Sequence, residues 1–385
     1  MTYDFDTPVP IGGTGSVQWD VLPQRYGVPD LVPFTISDMD FRAAPEILDA
    51  LRERVAHGVF GYTDWRHTGL PEAVRDWYGQ RYGVEVDPEA LVFAPSVLNQ
   101  LSRLLLMWTE PGDGVVVHTP TYDGFTKALD GLGRSLRGVP VGDAAALERE
   151  LARPDARVLL LCSPHNPTGR VWTEGELRGF VRLAETHGVA VISDEIHADL
   201  THDGHRHIPW PAVAPPGSRW ALITSASKAF NFPSLNGAYG IVGEPEQRAE
   251  FVRRTENGDG LASPGALGLT AHVAAYRRGA PWLDALRGYV AGNLRLLAER
   301  LEEAFPGAAL FAPPQAGYLA WLDLRPLGVD DEVLHDELVA KERIAVRAGA
   351  VYGTKGFVRV NLGCPRAKAG LGADALARTL ARLAG

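Results

Sequence analysis

The sequence predicts an α/β protein in which short buried strands alternate with helices. Six apolar runs of about five residues, rich in β-branched side chains, have the composition of strands covered on both faces of a mostly parallel sheet. Helical stretches separate these runs, and turn signals mark their boundaries. The strands are predicted at residues 90–94, 114–118, 157–161, 189–193, 220–224 and 238–242.

The helix that follows the third strand has the clearest local signals. Thr173 is placed to cap its N-terminus, and Glu176, three residues later, completes a capping box. We expect this helix to end at His187, just before Gly188, and the next strand follows at once. A helix between two parallel strands forms a βαβ unit.

The chain of 385 residues is long enough for about two domains. Residues 46–279 carry the strand and helix alternation and are predicted to form the large domain. From residue 280 a long helix and two strand-like segments, at 317–323 and 356–361, indicate a smaller α+β unit. The Pro- and Gly-rich residues 1–45 are predicted to wrap onto that unit, so that 1–45 and 280–385 together form the small domain.

The composition favours a globular protein of the cytoplasm. The net charge of −9 is spread along the chain, which argues against binding to nucleic acid or to anionic lipid. The two cysteines, Cys162 and Cys364, lack the spacing of a zinc site or a disulfide framework. The N-terminus is acidic, and no apolar run reaches the ~18 residues of a membrane helix. We therefore expect no metal, nucleic acid or membrane partner.

Three polar residues after predicted strands supply the groups that hold pyridoxal phosphate (PLP). Lys228 offers an amine for an imine link, Asp194 a carboxylate for the ring nitrogen, and Asn166 an amide for the phenolic oxygen. Strand ends of this kind meet at the ligand-binding edge of an open sheet. Taken singly, a lysine is usually a surface charge, an aspartate a helix cap and an Asn-Pro step a turn, but their order along the chain favours the cofactor.

Other residues are candidates for the phosphate and the ring of the same cofactor. Ser96, Val97 and Leu98 open a helix whose free N–H groups suit a phosphate, although a plain helix start is the alternative. Ser225 and Ser227 flank Lys228 with hydroxyl groups that suit phosphate oxygens. Tyr122 is placed to stack on a planar ring, or else it is a packed core tyrosine.

With these residues in place, the chain resembles the fold type I PLP-dependent enzymes, and among them the MalY/PatB family of cystathionine β-lyase-like C–S lyases. The resemblance implies an aspartate-aminotransferase-like fold, with a large mostly parallel-sheet domain and a smaller α+β domain. It also implies PLP as cofactor and a homodimer with shared active sites. The matching stretches are residues 38–41, 57–62, 163–172, 194–200 and 227–231.

The resemblance assigns roles to single residues. It implies that Lys228 carries the cofactor and removes the substrate's Cα proton, and that Tyr62 reaches the phosphate of a second subunit. Arg359 would bind the substrate α-carboxylate in a two-pronged ion pair, with a structural salt bridge as the alternative. His197 and Asn236 stand where many aminotransferases have a tyrosine and an arginine, and both differences favour the lyase branch. His197 is either a cofactor-binding group or a packed histidine.

The function implied is cleavage of L-cystathionine, or of related L-cysteine S-conjugates, to a thiol, pyruvate and ammonia. An aminotransferase acting on an L-amino acid is the main alternative, since fold and cofactor do not separate the two reactions. A non-catalytic regulator that retained the fold is a second alternative, and the presence of Lys228 argues against it. Trp65 and Arg66 are candidates either for the leaving-group pocket or for the surface.

Overall fold

A computed structural model describes residues 3–385 of the chain. Its strands, numbered in chain order, are β1 (Val32–Pro33), β2 (Leu91–Ala94), β3 (Gly114–Thr119), β4 (Ser135–Pro140), β5 (Ala156–Cys162), β6 (Ala190–Asp194), β7 (Trp220–Thr224), β8 (Ala238–Val242), β9 (Leu319–Asp323), β10 (Ile344–Ala345), β11 (Arg347–Ala348) and β12 (Phe357–Asn361). Its α-helices are α1 (Leu22–Tyr26), α2 (Pro45–His57), α3 (Leu70–Tyr82), α4 (Val97–Trp108), α5 (Asp123–Gly131), α6 (Ala144–Leu151), α7 (Glu174–His187), α8 (Pro245–Val252), α9 (Ala266–Arg278), α10 (Ala280–Ala304), α11 (Asp331–Glu337) and α12 (Arg366–Ala384).

A seven-stranded mixed sheet forms the centre of the large domain. Its strand order is β2-β8-β7-β6-β5-β3-β4, and every neighbouring pair is parallel except the two pairs that involve β8. Because β8 runs against both β2 and β7, the carboxyl ends of β2, β3, β5, β6 and β7 lie at one edge of the sheet. This is the edge where open α/β sheets bind ligands.

The six predicted strands are confirmed as β2, β3, β5, β6, β7 and β8, with ends shifted by a residue or so. The capping box of α7 is also confirmed, since Thr173 and Glu176 bond each other's backbone, and Gly188 ends the helix at a φ of 66°. The sequence analysis missed β4. This strand pairs only with β3 at the edge of the sheet, and its residues are mostly half-buried or exposed, so it lacks a continuous apolar run.

The smaller unit contains the three-stranded antiparallel sheet β11-β12-β9. One face of this sheet packs on the second half of α10 and on α12 in a separate apolar core. The N-terminal segment joins the same core, because β1 pairs in parallel with β10 and Phe34 is fully buried against the sheet. Burial of Phe34 and its neighbours ties the two ends of the chain together.

Helix α10 belongs to both halves of the molecule. Trp282 and Leu286, in its first half, pack into the core shared with α2, α3 and α9. Leu297 and Leu301, in its second half, pack against the small sheet. The predicted domain boundary at residue 280 therefore falls at the start of a helix that the two cores share. No helix within residues 3–385 is long and apolar enough to cross a membrane.

Candidate active site

A cavity of about 1000 Å³ lies at the carboxyl edge of the large sheet and reaches the small sheet. Most predicted site residues line it, although they come from segments far apart in sequence, because loops after successive strands meet at this edge. Tyr62 is the exception. The predicted residues that line the cavity are Ser96, Val97, Leu98, Tyr122, Asn166, Asp194, His197, Ser225, Ser227, Lys228 and Arg359.

The Lys228 amine points into a polar corner of the cavity. Its Nζ donates to the carbonyl oxygen of Ser37 at 2.6 Å, and the Tyr318 hydroxyl donates to the same oxygen at 2.8 Å. Burial lowers the pKa of Lys228 to about 8, while the nearby Asp38 carboxylate acts in the opposite direction. A larger fraction of this amine is therefore uncharged at neutral pH than for an ordinary lysine, as a nucleophile or a general base requires.

Asp194 lies at the end of β6 with its carboxylate buried. One oxygen accepts a hydrogen bond from the Ile196 amide at 3.1 Å, so the side chain caps a tight turn rather than an α-helix. Burial raises the pKa of Asp194 to about 7, and the Ile196 bond opposes that shift. A buried carboxylate gains most from a cationic partner, and a protonated ring nitrogen would be one.

His197 is buried three residues after Asp194. Burial lowers its pKa to about 3, with contributions from the Lys228 and Arg359 charges. The imidazole is therefore neutral at physiological pH and adds no charge to the cavity. It lines the cavity as well as being buried, and a cofactor-binding role for it stays a prediction.

Arg359, on β12, is buried without an ionic partner. Its Nη1 donates to Asn166 Oδ1 at 3.0 Å and its Nη2 to the Thr35 carbonyl at 2.8 Å. Its Nε is buried and has no acceptor within residues 3–385, and no carboxylate of that part of the chain forms an ion pair with it. The guanidinium lies over the Tyr352 ring, 4.7 Å from its centroid. A substrate carboxylate would supply an anion to this buried cation, and that role stays a prediction.

The Arg359 contact also fixes the orientation of Asn166. A guanidinium can only donate, so the Asn166 oxygen faces Arg359 and the amide NH₂ group remains available as a donor. Asn166 lines the cavity beside Asp194 and Lys228. The free NH₂ group suits the phenolic oxygen of the predicted cofactor.

The predicted phosphate end of the cavity lies at the start of α4. The Ser96 hydroxyl caps this helix by accepting from the Asn99 amide at 3.1 Å. The Ser225 hydroxyl lies 2.8 Å from the Gly237 carbonyl and 3.0 Å from His272 Nε2, so protein groups compete for its single proton. The phosphate contact of Ser225 therefore stays a prediction.

Tyr122 is held in the cavity wall by a close approach to its own helix. A Cβ atom added at Gly124 would lie 2.3 Å from the Tyr122 ring, so only glycine permits this ring position. Burial raises the pKa of the Tyr122 hydroxyl to about 12, which keeps the phenol protonated. Its ring edge packs on Phe125, and the cavity leaves its other side accessible.

Tyr62 lies outside the cavity of its own subunit and is fully exposed. The two candidates for the leaving-group pocket do not line the cavity either. Trp65 is buried in the core and stacks on Phe93, with 6.2 Å between ring centroids. Arg66 lies over Trp65 and forms a 2.6 Å ion pair with Glu256.

A loop at residues 36–41, the clamped loop, also lines the cavity; residues 38–41 were matched to the family from the sequence but were given no role in the site. Asn231 bonds it through the Met39 amide and through the Met39 and Phe41 carbonyls, at 2.7–2.9 Å. Asn361 holds the Ile36 and Asp38 carbonyls from the small sheet. The clamped loop thereby brings the Ser37 carbonyl to Lys228.

Comparison with known proteins agrees with this geometry. The sequence model of the family "Aminotransferase class I and II" matches residues 29–376. The chain is 47% identical over 376 residues to "Protein MalY" of Escherichia coli, covering 95% of this chain and 96% of that protein. It is 37% identical over 363 residues to "Cystathionine beta-lyase PatB" of Bacillus subtilis, covering 91% and 93%. The chain belongs to the MalY/PatB family.

A solved structure of a PLP-bound C–S lyase from Staphylococcus hominis has the same architecture as this MalY/PatB family member. It superposes with a TM-score of 0.91 at 28% sequence identity and covers 99% of this chain and 98% of that one. The predicted aspartate-aminotransferase-like fold is therefore confirmed. Within residues 3–385 no cluster of His, Cys, Asp or Glu could hold a metal ion.

The cavity of this family member fits PLP on its own geometry. The Asp194 carboxylate and the Lys228 amine line the same space, and the Asn166 NH₂ group there has no acceptor within residues 3–385. The start of α4 adds backbone N–H groups at another part of the wall. These groups match the ring nitrogen, phenolic oxygen, aldehyde carbon and phosphate of the cofactor.

Proposed function

We propose that this protein is a PLP-dependent carbon–sulfur β-lyase that cleaves L-cystathionine or related L-cysteine S-conjugates to a thiol, pyruvate and ammonia. The observation that carries this proposal is the placement around one cavity of Lys228, Asp194 and Arg359, whose Nε has no acceptor within residues 3–385. The MalY/PatB relatives support the choice of reaction, since one of them bears the name cystathionine beta-lyase.

Each of these cavity residues has a separate role in the proposed reaction. Bound PLP supplies an electron sink that stabilises negative charge at the substrate Cα. Arg359 binds the substrate α-carboxylate and so turns the Cα–H bond toward Lys228. Lys228 Nζ, with its lowered pKa, accepts the Cα proton. Asp194 keeps the ring nitrogen protonated, and Asn166 donates to the phenolic oxygen.

The proposed reaction needs no reactant other than the S-conjugate and water. After the Cα proton has moved to Lys228, the Cβ–S bond breaks and its electron pair leaves with the sulfur. Lys228 passes the proton to this sulfur, which is released as the thiol, and the lysine becomes a neutral amine again. The remaining three-carbon enamine is released by the Lys228 amine and takes up water to give pyruvate and ammonia. Neither oxidant nor keto acid is consumed, and this separates the lyase from an aminotransferase.

The functional unit that we propose is a cytoplasmic homodimer with shared sites. The exposed apolar side chains of Val55, Val59, Phe60 and Tyr62 come from one short stretch of the chain. Exposed apolar surface marks protein interfaces, and a two-fold axis would bring Tyr62 of the partner subunit to this subunit's cavity. Cys162 and Cys364 are both buried and free, in keeping with a reducing compartment.

An assay without keto acid tests the reaction. PLP-loaded protein is mixed with L-cystathionine, and thiol and pyruvate are followed together. We expect equal amounts of both products. A Lys228→Ala variant should lose turnover and the visible absorbance of lysine-bound cofactor while keeping its fold. Product formation that requires an added keto acid would instead identify an aminotransferase.

A further inference from the structure

A second arginine, Arg347, lies beside Arg359 on the wall of the cavity. The two residues are directly opposite each other in the antiparallel pairing of β11 with β12, so their side chains start on the same face about 5 Å apart. Both line the cavity. Like charges in this arrangement destabilise a sheet unless anions compensate them.

Neighbouring groups neutralise the positive charge of Arg347 only in part. Its Nη2 lies 3.3 Å from Asp123 Oδ2, which is long for an ion pair. The same oxygen lies 2.7 Å from Lys127 Nζ, so one carboxylate serves two cations. The Nε of Arg347 is buried and has no acceptor within residues 3–385. Arg347 can therefore bind another anion without giving up a strong bond.

The cavity as a whole is also lined by more basic than acidic side chains. Its lining includes five basic side chains and three acidic ones, and Asp194 and Asp38 lie on the Lys228 side. Arg359 accounts for the substrate α-carboxylate. Arg347 lies next to it, close to the mouth where the exposed Lys127 stands. A substrate with a second carboxylate, on the arm attached to sulfur, would use this remaining charge.

We propose that Arg347 is a specificity-determining residue that binds a carboxylate on the leaving-group arm of the substrate. The inference rests on the proposed function, because it names the part of the S-conjugate that departs as the thiol. Asp123, released from its 3.3 Å contact, would accept the ammonium group of an arm that ends in an amino acid. The site then selects cysteine S-conjugates with anionic or zwitterionic arms over those with apolar arms.

Two substrates of matched length test this selection. S-(2-carboxyethyl)-L-cysteine and S-propyl-L-cysteine share the Cβ–S bond and differ in the terminal carboxylate. We expect Arg347→Gln to lower kcat/KM for the carboxyethyl substrate about 10- to 100-fold, mainly through KM, as expected for loss of a charge-assisted hydrogen bond. The value for the propyl substrate should change less than about threefold, and L-cystathionine should follow the carboxyethyl substrate.

A charge-matched control removes a similar cation elsewhere on the small domain. Arg325 forms an ion pair with Asp323 and does not line the cavity, so Arg325→Gln should keep the wild-type ratio of the two kcat/KM values. Cofactor affinity, measured by absorbance titration, should be unchanged in Arg347→Gln. The inference about Arg347 would be overturned, with the proposed function left standing, by either of two results for Arg347→Gln. One is an unaltered ratio of the two kcat/KM values, and the other is weaker cofactor binding with an equal fall in kcat/KM for both substrates. Absence of thiol release from both substrates by the wild-type protein would overturn the proposed function as well.

Discussion

Asp194 has an ionisation that depends strongly on its surroundings. Burial raises its pKa from the ordinary 3.8 to about 7, although the Ile196 amide and the nearby Lys228 charge act in the opposite direction. The folded state therefore binds a proton that the unfolded state has lost between about pH 4 and pH 7. In this interval the stability contributed by Asp194 falls as pH rises, and above pH 7 the penalty is constant.

Asp194→Asn should remove this penalty from the cofactor-free protein. The variant should gain stability over wild type as pH rises from 4 to 7, by at most about 4 kcal/mol, and the difference should then level off. Urea unfolding at several pH values measures it. Asp374→Asn, at an exposed site, is the control and should show no such trend. A difference between Asp194→Asn and wild type that is the same at pH 4 and pH 8 would contradict the raised pKa.

At the scale of elements, the clamped loop is held in part by a residue with an unusual backbone conformation. Asn231 has a φ of 56°, in the left-handed region, and makes three hydrogen bonds to the loop backbone. Asparagine adopts this conformation more readily than most residues. Asn231 therefore has two structural roles. Its backbone forms the turn after Lys228, and its side chain holds residues 36–41.

Two substitutions measure the contributions of the backbone turn and of the side-chain hydrogen bonds to stability separately. Asn231→Gly permits the left-handed backbone but removes the three hydrogen bonds, and should cost about 2–4 kcal/mol of stability. Asn231→Ala also strains the backbone and should cost about 1 kcal/mol more. Chemical denaturation of both variants gives the two values. If the alanine variant is as stable as the glycine variant, the left-handed conformation is not maintained.

The elements also show what local sequence patterns can predict. Strands β5, β6 and β7 are covered on both faces, so their apolar runs are continuous and were recognised. The edge strand β4 has one neighbour and a mixed pattern, and it was missed. The reversed direction of β8 leaves no trace in its composition, since a buried strand is apolar in either direction.

The candidate site was predicted from the sequence only where the chemistry of a residue is distinctive. Lys228 and Asp194 were predicted because their order along the chain, together with Asn166, matches the groups that hold the cofactor, whereas Arg359, inside β12, was assigned only through the family resemblance. Asn231 binds backbone groups about 190 residues away in sequence, and Arg347 is significant only because the pairing of β11 with β12 sets it beside Arg359. Such relations exist only in the folded chain.

At the scale of the whole molecule, helix α10 and the cavity couple the two halves of the subunit. Arg359 comes from the small sheet and bonds Asn166 of the large domain, so the proposed substrate site involves both. Tyr62 extends this dependence to a second subunit in the proposed dimer. Its side chain is fully exposed in one subunit and makes no contribution to that subunit's own cavity.

Mixed dimers test whether the sites are shared. Tyr62→Ala and Lys228→Ala should each be nearly inactive. If Tyr62 serves the partner subunit's site, a dimer with one subunit of each kind has one intact site, because Lys228 and Tyr62 then come from different chains. Random exchange at equal amounts should restore about one quarter of wild-type activity. Mixing Asp194→Ala with Lys228→Ala, whose residues line the same cavity, should restore none. If mixing the Tyr62→Ala and Lys228→Ala subunits recovers no activity, Tyr62 does not belong to a shared site, because freely exchanging subunits would otherwise complete one site in each mixed dimer.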